Sequence, residues 1–132
     1  MLLLDVDGVL VHPVGYKEAL RATVAYFVAA MGLDISGPDD HEIGVFEACG
    51  LTNEWDSGAM CVSALVMAAL AGRPDLRRPT LDATFAAVRA AGIRVARPDF
   101  AGAARAIARQ PHPDSVRPST IYHRLLAGDA EP

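Results

Sequence analysis

Residues 2–10 read Leu2-Leu3-Leu4-Asp5-Val6-Asp7-Gly8-Val9-Leu10, and the way this stretch folds decides the architecture of the chain. An apolar run that ends in two acidic residues and a glycine predicts a buried β-strand over residues 2–6 that runs into a polar turn. The period of two along a strand sends the Asp5 and Asp7 carboxylates to the same side, at the C-terminal end where open α/β sheets bind their ligands. Gly8 permits a tight turn and a close approach of backbone to a bound group. Two carboxylates this close repel each other when ionised, so the pair calls for a divalent cation or a shared proton.

Downstream of this strand every periodic segment reads as helix. Over residues 16–31 the apolar positions Leu20, Val24, Phe27, Val28 and Met31 recur at three and four, and Gly32 supplies a stop. Asp39 and Glu42 stand at capping-box separation ahead of Ile43 and Phe46. Thr52 or Asn53 can cap a longer helix with a stripe of Trp55, Ala59, Val62, Val66 and Ala69, ended by Gly72 and Pro74. Thr80 and then Pro98-Asp99 start two more, and a last helix is expected from near Ser119 after a proline-containing loop. No internal repeat is evident.

One strand followed by about six helices is an unbalanced tally, because a lone buried strand leaves its backbone donors and acceptors unpaired. Partner strands are therefore expected from a further core segment or from another chain, with a homodimer as one form of the latter. The division expected is residues 1–15 as first core strand and catalytic loop, and residues 16–132 as a helical region.

The chain has 132 residues, 52% hydrophobic and 21% charged, with a formal net charge of −4 and a mean hydropathy of +0.22. These values describe a globular chain able to build a core without disulfides or a structural metal. With 16 acidic against 12 basic residues there is no electrostatic case for nucleic acid as a partner. Cys49 and Cys61 show no zinc or disulfide pattern, which fits a reduced, cytoplasmic setting. Asp5 interrupts the opening apolar run before a signal peptide or a membrane span is built, so no membrane association is expected.

The string LLLDVDGVLV resembles the first motif of the haloacid dehalogenase (HAD) superfamily, whose members are mostly magnesium-dependent phosphatases. The continuation through Phe27 and the segment GVFEACGLTNEWDS look like the helical cap that one branch of that superfamily inserts directly after the first motif. The resemblance implies an α/β protein with a HAD-like Rossmannoid core, of which this chain would supply one N-terminal strand and a mostly α helical-bundle cap. It also implies a cytoplasmic hydrolase acting on a small phosphorylated metabolite. Asp5 would be the nucleophile that accepts the phosphoryl group and a ligand to Mg²⁺. Asp7 would act as general acid and then base and would also hold the metal. Gly8, Asn53 and Trp55 are the candidate substrate-binding residues, with Asp56 beside them. The plainer alternative makes Asn53 a helix cap and Trp55 part of the core.

The family's later motifs find no good match within the 132 residues. Residues 90–96 imitate the second faintly, but Arg97-Pro98 stands where a Ser or Thr belongs. Lys17, the only lysine, comes too early for the third. Gly128-Asp129 imitates the acidic fourth without a preceding strand, so the remaining core strands are expected outside these residues. His12 stands near where Asp or Asn is common in the family. A non-catalytic helical binding or dimerisation module derived from such a cap is the competing expectation.

Overall fold

The computed structural model describes residues 14–109. The expected strand at residues 2–6, with Asp5, Asp7 and Gly8, and the expected last helix beyond Ser119 lie outside the described residues. Among those described there are five α-helices, one 3-10 turn at Pro74–Leu76 and no β-strand, so this part of the chain is mostly α.

α1 spans Val14–Ala30 and thus takes in Val14 and Gly15, which the sequence division had placed with the opening segment. Its buried side chains, Leu20, Val24 and Val28, fall one turn apart, and Met31 continues the stripe past the helix end. Gly32 then adopts φ +64°, the left-handed conformation that lets a helix C-terminus turn without strain only at glycine. α2, Asp40–Ala48, begins with a complete capping box. The Asp39 carboxylate accepts from the Glu42 N–H at 2.8 Å, and the Glu42 carboxylate accepts from the Asp39 N–H at 2.9 Å. Ile43 and Phe46 on its inner face are fully buried.

α3, Glu54–Gly72, is the central element, packed against α1 on one side and α5 on another. An enclosed helix needs no polar face, which is why residues 60–66 are buried without interruption. The helix is also long and apolar enough to cross a membrane by length and composition, with 56% of that window buried inside the protein. Its first-turn tryptophan departs from the expected apolar stripe. Trp55 is 73% exposed, because the buried side of the turn is taken by Ser57 and Gly58.

α4, Leu81–Ala91, is capped by Thr80 and ends at Gly92, φ +59°. α5, Phe100–Ala108, is capped by Asp99, whose carboxylate accepts from the Gly102 N–H at 2.8 Å. The stretch between them repeats the stretch between α1 and α2 with an offset of sixty positions. Gly32 and Gly92 are both left-handed, Leu33 and Ile35 match Ile93 and Val95 as half-buried packing residues, and Pro38-Asp39 matches Pro98-Asp99. The chain therefore carries a helix, linker and nine-residue helix twice, with α3 between the copies. The repeat is faint in the sequence because only a glycine, two aliphatic positions and a Pro-Asp pair carry it.

The two linkers also meet. The Arg97 guanidinium donates to the Ser36 carbonyl at 3.2 Å and to the Gly37 carbonyl at 2.9 Å, and it clasps the Glu42 carboxylate with bonds of 2.9 and 2.6 Å. The same guanidinium lies 4.9 Å from the centre of the Phe100 ring. Residues 90–96, the faint imitation of the family's second motif, are instead the last turn of α4 and the start of an irregular linker whose Arg97 joins the two halves.

Candidate functional site

The first turns of α1 and α3 form one end of the helical unit, the end at which the chain arrives from the Asp5-Asp7 segment. Tyr16 lies two residues into α1, and its hydroxyl is 2.9 Å from the Ser57 hydroxyl in the first turn of α3. Ser57 donates in turn to the Leu51 carbonyl at 3.3 Å. The Tyr16 hydroxyl also donates to the Leu51 carbonyl at 3.4 Å, so with one proton on each hydroxyl two orders satisfy the group, Tyr16 to Ser57 to Leu51 or Ser57 to Tyr16 to Leu51. Burial pushes the Tyr16 phenol above its ordinary value of 10.0, so the group is a neutral donor across the working range of most proteins.

Asn53 and Trp55 stand at this end. Asn53, one of the two candidate caps, is the N-cap of α3, with its side-chain oxygen accepting from the Asp56 N–H at 2.9 Å and its amide nitrogen donating to the Asp56 carboxylate at 2.8 Å. Both polar ends of the side chain are therefore engaged within the turn. Trp55 is on the surface and is not part of the core. Its neighbours Glu54 and Asp56 place two carboxylates on a turn whose N–H groups would otherwise favour an anion. What the turn offers a ligand is consequently an exposed indole face among acidic groups, suited to an apolar, planar or cationic moiety and poorly suited to a phosphate. Asp5, Asp7 and Gly8 are not placed relative to it.

Two further polar groupings tie the helices together. Asp40, in the first turn of α2, accepts from Arg21 at 2.6 Å and lies 3.7 Å from the Lys17 ammonium. The Arg21 bond, aided by the Lys17 charge, holds the Asp40 carboxyl below the usual carboxylate range. Lys17 thus belongs to a surface ion-pair cluster between α1 and α2. Glu42 is the second grouping. It is 8% exposed, bonded to Arg97 and to the Asp39 N–H, and the Arg97 bonds are the main reason its carboxyl lies below its ordinary 4.5.

Cys61 is fully buried in α3, where desolvation pushes its thiol far upward, and Cys49 is half-buried after α2. His41 is exposed on α2. Among the described residues no group of three or more His, Cys, Asp or Glu side chains comes together in a way that could hold a metal ion. Sequence reasoning missed the Tyr16–Ser57 link and the Glu42–Arg97 clasp. A tyrosine early in an amphipathic helix and an arginine before Pro-Asp carry no local sign of partners 41 and 55 positions away.

No family model, curated protein or solved structure matches this chain.

Proposed function

We propose that this chain carries the nucleophile motif and helical cap of a HAD-type phosphohydrolase that acts on a small phosphorylated metabolite in the cytoplasm. The observation that carries the proposal is the sequence Asp5-Val6-Asp7-Gly8 behind an apolar run, with the described residues after it, from Val14 to Ala108, forming helices and no strand. Asp5 attacks phosphorus and takes the phosphoryl group as an aspartyl phosphate, which divides one difficult displacement into two easier ones. Asp7 donates a proton to the departing oxygen and then removes one from the water that hydrolyses the intermediate. The two carboxylates are hard oxygen donors that suit Mg²⁺, which when bound offsets the repulsion between anionic nucleophile and anionic substrate. Trp55 and Asn53 belong to the cap, where the exposed indole meets the part of the substrate that is not phosphate.

The test is Mg²⁺-dependent release of phosphate from an aryl phosphate by the full-length gene product. Activity that disappears in Asp5→Asn supports the proposal, and unchanged turnover in that variant contradicts it. The alternative, a binding or dimerising helical module without catalysis, draws on the exposed Trp55 and Tyr26, at 73% and 69%. It predicts self-association by light scattering that Trp55→Ala or Tyr26→Ala weakens, together with no phosphatase activity.

A further inference from the structure

The linker between the 3-10 turn and α4, Arg77-Arg78-Pro79-Thr80, is absorbed neither by the core nor by the proposed chemistry. All four residues are exposed. Arg77 (φ −62°, ψ 134°) and Thr80 (φ −119°, ψ 155°) have extended backbone, the conformation in which a protein kinase cleft reads its substrate. Two arginines three and two positions before a threonine, with Leu81 directly after it, form the charge pattern that an acidic kinase cleft selects. The local charge stands out in an acidic chain. Arg73 is taken by a two-bond pair with Asp75, whereas the Arg78 guanidinium donates to the backbone carbonyls of Asp75 and Arg77.

We propose that Thr80 is a phosphorylation site for an arginine-directed serine/threonine kinase. The Thr80 oxygen attacks the γ-phosphorus of ATP, the bond from that phosphorus to the bridging oxygen breaks, ADP leaves, and the hydroxyl proton passes to the kinase base. The hydroxyl is the N-cap of α4 and accepts from the Ala83 N–H at 3.2 Å, so the modification replaces a neutral cap oxygen with a dianion at the positive end of an 11-residue helix. Arg77 and Arg78 stand on the approach to it. Asp82, in the same first turn, is the one opposing charge on α4 there. In the unmodified chain the linker is held in register by Thr84. The Thr84 hydroxyl donates to the Thr80 carbonyl at 2.9 Å and accepts from the Arg78 N–H at 3.0 Å. The product is therefore a more firmly capped α4, and Leu81, half-buried at its first position, needs only the first turn to open for the kinase to engage.

The experiment treats the full chain with ATP, Mg²⁺ and a kinase of the cyclic-nucleotide-dependent class, and locates the added phosphoryl group by fragmentation mass spectrometry. One group on Thr80 is expected, with loss of labelling in Thr80→Asp, which keeps a capping acceptor, and at least a tenfold slower reaction in Arg77→Ala/Arg78→Ala. The phosphorylated chain is expected to melt at a higher temperature than the unmodified one. Labelling that persists in Thr80→Asp, falls on Ser119 or Thr120, or ignores the loss of both arginines overturns the assignment, as does the absence of labelling.

Discussion

Glu42 and Arg97 hold the two halves of the molecule together through groups that differ in burial, and this asymmetry sets what the pair contributes. The carboxylate is nearly enclosed while the guanidinium side chain is about one-third exposed, so solvent screens part of the attraction. Glu42→Gln is expected to cost about 1–2 kcal/mol near pH 7, the range for charge-assisted bonds reduced by that screening. Because the folded-state pKa of Glu42 is depressed below 4.5, its contribution is complete above that value and is lost as the pH falls through the lower folded value. Urea melts of the wild type and Glu42→Gln should therefore differ at pH 7 and converge as the pH drops below about 4.5. The Ser63 hydroxyl makes the opposite case. It is buried in α3 with no hydrogen-bond partner among the described residues, so Ser63→Ala should raise stability by about 1 kcal/mol in the same assay.

Elements were readable from the sequence wherever a local rule fixes them. Asp39, Thr80 and Asp99 each cap the helix they are expected to start, and of the two candidates Thr52 and Asn53 it is Asn53 that caps α3, because a cap bonds an N–H within three residues. Trp55 leaves the apolar stripe expected of it for a physical reason. A helix that is apolar on all sides gives no period from which to deduce its outward face, and only the packing of α1 and α5 on α3 decides it. The repeated linkers are faint in the sequence because only a glycine, two aliphatic positions and a Pro-Asp pair agree, and the shared left-handed turn of the two glycines, sixty positions apart, shows only in the backbone. Those glycines now separate two costs that sequence alone cannot. Gly92→Ala meets nothing within 4 Å and should cost only the left-handed strain, about 1–2 kcal/mol. Gly32→Ala carries the same strain and also brings a methyl group to 3.2 Å from the Arg89 side chain, whose guanidinium caps the Ala29 carbonyl. Thermal melts should rank Gly32→Ala below Gly92→Ala, and equal midpoints would show that Arg89 yields freely.

At the largest scale, one core centred on α3 joins the five helices of the described residues, so this region should open as a unit. Its two thiols report this directly. Cys49 is half-buried and Cys61 is enclosed, with its thiol held neutral by desolvation. A thiol reagent should label one cysteine quickly and the second only at the rate of global unfolding, and rapid labelling of both would contradict a single cooperative core. The catalytic half of the proposal was legible only as a motif, since Asp5 and Asp7 lie outside the described residues, whereas the helical half was legible as a pattern of caps and stripes.

The most direct test of the proposed chemistry is to quench the full-length gene product in acid during turnover of a phosphorylated substrate with Mg²⁺, reduce it with borohydride and map the modified residue. An aspartyl phosphate predicts conversion at Asp5 alone, absent without substrate and absent in Asp5→Asn. Turnover with no modified Asp5, or with the modification at another residue, would contradict the assignment of this chain as the nucleophile-bearing part of a phosphohydrolase.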